Sequence, residues 1–102
     1  MALEQAKIKQ LRTIGHQLKP IVIISEHGLT EGVLAELNRA LNDHELIKVK
    51  FAVEDRNTKN ALITETIEAT RAELVQTIGK IALIYRLAKK TNKKLSNLHR
   101  PH

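Results

Sequence analysis

The pattern between Ile21 and Val53 constrains the fold more than any other feature of this chain. A short apolar run, Ile21–Ile24, precedes a stretch with apolar residues at helical spacing, and strict alternation follows from Leu46 to Val53. The β-branched run predicts a strand covered on both faces. The alternation predicts a strand with one face in the core. A strand, a helix of about twelve residues and a second strand predict a parallel, right-handed βαβ unit.

The predicted helix of this unit has clear boundaries. Thr30 is the expected N-cap, Glu31 is well placed for the helix dipole, and Asn42–His44 ends the helix. Its expected buried stripe comprises Val33, Leu34, Leu37, Ala40 and Leu41. In the strand that follows, the residues expected to face the core are Ile47, Val49, Phe51 and Val53, and those facing away are Leu46, Lys48, Lys50 and Ala52.

Two more helices flank this unit. Apolar spacings of three and four predict a first helix over Leu3–Leu18. It stops before Pro20, because proline disfavours a helical conformation in the residue before it. A third helix is predicted from a cap at Asp55 to about Ala72.

Two short strands complete the predicted domain. Leu74–Ile78 and Ile81–Arg86 are separated by Gly79–Lys80, which places glycine where a type II′ hairpin turn requires it. The element order is therefore α-β-α-β-α-β-β. This order predicts a single small α/β domain.

Charge is segregated along the chain. There are 17 Lys and Arg against 11 Asp and Glu, a net charge of +6. The net charge is +3 over residues 1–19, −4 over 26–73 and +7 over 74–102. A segregated basic surface favours polyanions, because neutralised phosphates release their counterions. The bases beyond Arg86 predict a flexible tail over residues 87–102.

Residues suited to catalysis are few. The chain has no cysteine and no Gly-rich phosphate motif of the P-loop kind. Its histidines are His16, His27, His44, His99 and His102. They fall on different predicted elements, so the pattern indicates neither a nucleophile with its base nor a metal site. We expect no catalytic residue, no cofactor, no metal ion and no small-molecule substrate.

The composition also indicates the cellular compartment of the protein. The lack of cysteine fits a reducing cytosol. The apolar run Ile21–Ile24, like every other apolar run in the sequence, is far shorter than the about 20 residues of a membrane-spanning helix. We expect a cytoplasmic protein with no membrane association.

The loop before the second helix is a candidate phosphate site. Small residues there precede a helix N-terminus, where unpaired amides and the helix dipole favour an anion. The alternative is that Gly28 only permits a strand-to-helix turn. The candidate positions are Ser25, Glu26, His27, Gly28 and Thr30.

Basic residues elsewhere are candidate phosphate contacts. Three of them recur at i, i+3 and i+7 on one helix face, and two more share a strand face. The alternative is an ordinary solvated surface. The candidates are Lys9, Arg12, His16, Lys19, Lys48, Lys50 and Arg86. Because Phe51 and Tyr85 are the only aromatic residues, we expect binding through backbone and shape more than through stacked bases.

Several separate stretches, in order, resemble the CRM domain, and more narrowly the stand-alone bacterial YhbY proteins. The resemblance extends from about Leu3 to Arg86, which we take as a domain over residues 1–86. The matching stretches are Leu18–Val22, Gly28–Leu34, His44–Lys50, Ile78–Lys80 and Leu83–Arg86.

The resemblance implies an RNA-binding module with a mixed four-stranded sheet and packed helices, similar to the C-terminal domain of translation initiation factor three. Stand-alone bacterial members associate with precursors of the large ribosomal subunit. The implied partner is therefore 23S rRNA in pre-50S particles, and the implied role is ribosome assembly. The family also carries a GxxG loop that contacts the RNA backbone.

The chain departs from the family at this loop. The GxxG loop would occupy Ser25–Gly28, so Ser25 replaces the first glycine, and Glu26 places a negative charge there. Two other functions remain open: a protein–protein adaptor that docks a ribosomal protein or assembly factor, and a small RNA-modifying or RNA-hydrolysing enzyme.

Overall fold

Three helices and four strands follow one another in the predicted order α-β-α-β-α-β-β. The structure is a computed structural model that describes residues 5–88 and Ser96. Its elements are α1 (Gln5–Gly15), β1 (Pro20–Ile24), α2 (Glu31–His44), β2 (Leu46–Phe51), α3 (Arg56–Thr70), β3 (Glu73–Ile78) and β4 (Ile81–Tyr85). The predicted fold class is confirmed.

The strands form one mixed sheet in the order β1-β2-β4-β3. β1 and β2 are parallel, with Val22 opposite Val49, as the βαβ prediction requires. β4 pairs antiparallel with both β2 and β3. β1 and β3 are therefore the two edge strands.

One face of the sheet is covered by α2 and α3. The predicted inward residues of β2 lie there, and Leu37 and Leu41 of α2 pack on them, fully buried. Buried hydroxyls on α3 are satisfied within the helix, because Thr66 and Thr70 donate to the carbonyl oxygens of Leu62 and Thr66 at 2.7 Å. The buried residues of this core are Val22, Ile24, Leu37, Leu41, Ile47, Val49, Phe51, Val53, Leu62, Ile63, Ala72, Ala82 and Ile84.

The opposite face is covered only in part, by α1. Leu11 of α1 packs with Leu46, Val75 and Leu83 in a second apolar cluster. Near its start, the Lys7 ammonium lies 5.8 Å from the centre of the Tyr85 ring. At its end, Gly15 rests against the Leu83 side chain. The helix therefore stops before it reaches the part of β4 nearest Ile81.

The prediction that β1 is covered on both faces is wrong. Val22 and Ile24 are buried, but Ile21 is 47% exposed and Ile23 61% exposed. β1 is an edge strand, and α1 packs mainly on β2 and β3. An apolar β-branched run has the same sequence pattern whether its second face is covered or open.

Helix caps and the hairpin turn match their predictions. The Thr30 hydroxyl accepts a hydrogen bond from the Val33 amide at 3.2 Å. Asp55 accepts from the Thr58 hydroxyl and amide at 2.7 and 2.8 Å, and these bonds lower the pKa of Asp55. Gly79 has φ +56° and Lys80 is not at positive φ, as a type II′ turn requires.

Gly28 ends a tight turn at the start of α2. Its amide donates to the Ser25 carbonyl oxygen at 2.9 Å, and its φ is +73°. The residue is buried, and a Cβ added to it would lie 3.3 Å from Cδ2 of Leu62 on α3. Both the backbone conformation and the neighbouring helix therefore favour glycine at this position.

Glu45 joins α2 to the segment that follows β4. It caps α2 at φ +64° and is fully buried. Its carboxyl oxygens accept hydrogen bonds from the Ala88 amide at 2.9 Å and the Ser96 hydroxyl at 2.7 Å. Ala88 and Ser96 are themselves buried. The rest of the predicted tail, residues 89–95 and 97–102, lies outside the described residues, so its flexibility stays a prediction.

Replacing Ser96 with alanine should lower the free energy of unfolding by about 1–3 kcal/mol, because a buried acceptor on Glu45 loses a partner. The matched control is Ser25→Ala at an exposed turn position, where a change within about 0.5 kcal/mol is expected. Urea unfolding followed by circular dichroism measures both values. Equal values for the two variants would contradict the anchoring role of Ser96.

Gly28→Ala should lower the free energy of unfolding by about 1–2 kcal/mol, since alanine is strained at positive φ. Gly32→Ala makes the same chemical change in the first turn of α2, where nothing lies within 4 Å of the added Cβ. It should raise stability by up to about 1 kcal/mol. The same urea experiment compares them, and a neutral Gly28→Ala would show that the turn does not depend on glycine.

Candidate nucleic-acid interface

Two rows of side chains cross the sheet where α1 ends: one lies beyond the helix, and one lies beside its last residue, with Leu83 buried and Lys48 and Gln76 partly exposed. The outer row lies near the C-terminal ends of β1 and β2. Each of its residues pairs across the sheet with the next residue of the row. This row is Ile23, Lys50, Ile81 and Ile78. The second row, one step closer to α1, is Lys48, Leu83 and Gln76. We call these two rows, with Ile21, the open sheet face.

Four of the predicted basic residues lie in or beside the open sheet face. Lys48 and Lys50 lie in its two rows. Lys19 directly precedes Pro20, the β1 partner of Lys48. His16 follows Gly15, which rests on Leu83. The helix thus ends beside the second row, and its last bases lie near those of the sheet.

Lys9 and Arg12 continue this positive surface along α1. Both are exposed, as are His16 and Lys19, whereas the face containing Leu11 is buried against the sheet. Arg12 and His16 are one helical turn apart. We call the whole set the basic face: Lys9, Arg12, His16, Lys19, Lys48 and Lys50.

The loop predicted to contact RNA lies at the same end of the sheet as Lys50. Ser25 follows Ile24, whose carbonyl oxygen accepts from the Ala52 amide at 2.8 Å. The turn Ser25–Gly28 exposes Ser25, Glu26 and His27 and buries Gly28. The tip of the loop is therefore in solvent, and the last residue of the loop, Gly28, packs against α3.

The amides at the start of α2 are only partly occupied by the cap. Thr30 accepts from the Val33 amide through its hydroxyl and from the Leu34 amide through its carbonyl, at 3.2 and 2.9 Å. The amides of Glu31 and Gly32 have no partner within a helix of this geometry. Glu26 and Glu31 are both exposed here, so the positive charge of the candidate interface comes from the basic face and not from the loop.

Sequence reasoning missed Lys80 at this end of the sheet. Its ammonium lies 2.8 Å from a carboxyl oxygen of Glu54, and this hydrogen bond and charge lower the pKa of Glu54. Its carbonyl oxygen accepts from the Phe51 amide at 2.7 Å. Because β4 runs antiparallel to β2, the β3–β4 turn must lie where β2 ends. This strand arrangement could have predicted that Lys80 lies at this end of the sheet.

Arg86 does not join the other candidates. Its guanidinium donates to Asn38 Oδ1 and the Thr70 carbonyl at 2.8 Å, to the Asn38 carbonyl at 3.1 Å and to Asn42 Oδ1 at 3.0 Å. Burial lowers its pKa. These partners lie on α2 and α3, on the other side of the sheet. Arg86 therefore ties the end of β4 to two helices, and we leave it out of the candidate interface.

Neither a cluster of metal ligands nor a membrane-spanning helix is found among residues 5–88 and Ser96. No group of three or more His, Asp or Glu side chains in this part of the chain is placed to hold a metal ion. No helix in it is long and apolar enough to cross a membrane. His16, His27 and His44 lie on α1, on the loop and at the end of α2; His99 and His102 fall outside the described residues.

Comparison with known proteins places these features in a family. The "CRS1 / YhbY (CRM) domain" matches residues 3–86. Over 100 residues, the chain is 59% identical to "Probable RNA-binding protein PA4753" of Pseudomonas aeruginosa, covering 98% of this chain and 96% of that protein. It is 51% identical over 87 residues to an "RNA-binding protein" of Haemophilus influenzae, covering 84% of this chain and 88% of that one.

A solved structure agrees with the fold. The solution structure of the hypothetical protein SAV1595 from Staphylococcus aureus superposes with a TM-score of 0.75 and 35% sequence identity, covering 93% of this chain and 98% of that one. The family match spans the whole sheet and all three helices. This chain belongs to the CRS1/YhbY (CRM) domain family.

Proposed function

We propose that this protein binds structured RNA through the basic face and the loop before α2. We further propose that this RNA is 23S rRNA in precursors of the large ribosomal subunit, and that the protein acts in ribosome assembly in the cytoplasm. The observation that carries the proposal is the position of His16, Lys19, Lys48 and Lys50 around one open sheet face. Two relatives named as RNA-binding proteins support it.

Phosphate neutralisation is the main source of affinity in this proposal. The exposed bases of α1 and of the sheet lie on one side of the domain, where an RNA backbone can contact several of them together. Each neutralised phosphate releases counterions, so affinity falls steeply with salt. The chain offers this surface without an aromatic platform, which suits recognition of backbone and shape.

In this proposal the loop positions the RNA backbone but adds little positive charge to the interface. The free amides of the first turn of α2 can donate to one phosphate without any side-chain cation. Glu26 at the exposed tip opposes this, because a carboxylate repels a phosphate. In this chain the loop sets where the backbone lies, and the basic face holds it.

The assignment to ribosomal precursors rests on the family and not on a base-reading site. Association with such particles that survives nuclease treatment would favour the adaptor function instead. Turnover of an RNA substrate that disappears when one histidine is changed would favour an enzyme.

Arg12→Glu combined with Lys19→Glu should weaken binding to transcribed 23S rRNA domains at least about tenfold at low salt, because two attractions become repulsions. The slope of log affinity against log salt should fall by roughly 2, one for each lost phosphate contact. Fluorescence anisotropy titrations at several salt concentrations measure both. Thermal stability should be nearly unchanged, since both residues are exposed.

The matched control is Arg39→Glu combined with Arg71→Glu, which reverses the charge of two exposed residues on the α2 and α3 side. It changes the net charge by the same amount away from the proposed interface. Equal weakening by the two double variants would mean that only net charge matters, and the basic face would lose its role.

Glu26→Gln should tighten RNA binding up to about fivefold at low salt, because it removes one negative charge beside the bound backbone. Glu68→Gln, an exposed position on α3, makes the same change far from the loop and should have little effect. The same anisotropy titrations compare the two variants. If Glu26→Gln binds like the parent protein, the loop tip does not approach a phosphate.

A further inference from the structure

Exposed aliphatic side chains flank the lysines of the open sheet face. Ile23 and Ile78, at the two ends of the outer row, are each 61% exposed. Between them in the same row stand Lys50 and Ile81. Single exposed apolar residues are ordinary, but a row of them next to a basic surface marks an interaction site.

A groove lies between the two rows. It has a volume of about 120 Å³ and is lined by Lys48, Gln76, Ile78, Ile81 and Leu83. This volume is well below the about 300 Å³ of small drug sites. The groove therefore suits one flat ring and not a whole small-molecule ligand.

We propose that the groove binds one unpaired nucleobase of the RNA. The ring would lie on Ile78 and Ile81, and the Gln76 amide, both donor and acceptor, would face its polar edge. Lys48 and Lys50 are on the same strand face, roughly 6.8 Å apart, and would hold the phosphates on either side of that base. This inference rests on the proposed function and adds a base-binding subsite to it.

The charges of the two rows favour a polyanion over a second copy of this chain. Neither row contains an acidic residue. If two copies packed face to face across these rows, Lys48 and Lys50 would meet their own counterparts, and such like-charge contacts disfavour pairing. An RNA strand offers apolar base faces and negative phosphates together, which is the complement of alternating isoleucine and lysine.

The test separates the contribution of the base to binding from the contribution of the phosphate charge. The probe is an RNA hairpin with a loop of unpaired uridines, and its partner is the same hairpin with abasic ribose phosphates in the loop, so the charge is unchanged. The parent protein should bind the uridine hairpin at least about fivefold more tightly, which is the gain expected from burying roughly 40 Å² of apolar surface between the base and the isoleucines.

The variant Ile78→Ser, which shortens a side chain that lines the groove, should lose this preference and bind both hairpins alike. The matched control is Leu74→Ser, which removes an aliphatic side chain 44% exposed on the same strand β3. Leu74 is the partner of Ile84 and so lies on the α2 and α3 side. Leu74→Ser should keep the full preference for uridine.

A fluorescent base gives a second reading. With 2-aminopurine at the loop centre, binding of the parent should raise emission, because the base leaves its stack for an aliphatic groove without aromatic rings. The Ile78→Ser variant should give no such rise.

The outcomes distinguish this subsite from the proposed function. Failure of both hairpins to bind would overturn RNA binding as a whole. Salt-dependent binding with no preference for uridine, or a preference that survives the Ile78→Ser change, would overturn the base-binding groove alone. In the last two cases an apolar protein segment becomes the better occupant of the open sheet face.

Discussion

The sheet of this protein has two apolar faces, but its helices cover one face and part of the other. The crossover unit places α2 and α3 on one side, where they bury a large core. The other side has only α1, whose 11 residues span about 16 Å. Because α1 ends over Leu83, the outer row beyond it remains open. The proposed interface combines this open part of the sheet with the exposed bases of α1 beside it.

Much of the fold follows from local pattern. Alternation in β2 correctly divided core residues from Lys48 and Lys50, since side chains of a strand point to alternate faces. Caps at Thr30 and Asp55, and the turn at Gly79, depend on short-range chemistry that a sequence displays directly. These features were predictable because each is decided within a few residues.

The features that were not predictable depend on distant parts of the chain. Whether Ile21 and Ile23 are covered depends on where α1 packs, and the run itself contains no information about that. Glu45 reads as a surface acid at a helix end, but it is buried by contacts with Ala88 and Ser96. Arg86 reads as a free cation, but oxygens on α2 and α3 surround its guanidinium. For the candidate site, therefore, sequence predicted which residues carry charge better than it predicted which of them lie together.

The central claim is that RNA lies on the α1 side of the sheet and not on the α2 and α3 side. Backbone amide NMR of the labelled protein, titrated with a structured 23S rRNA fragment, tests this most directly. The account predicts chemical-shift changes and line broadening concentrated in residues 12–28, in Lys48 and Lys50 and in residues 76–81. Changes concentrated instead on the exposed surfaces of α2 and α3, around Arg39 and Arg71, would contradict it.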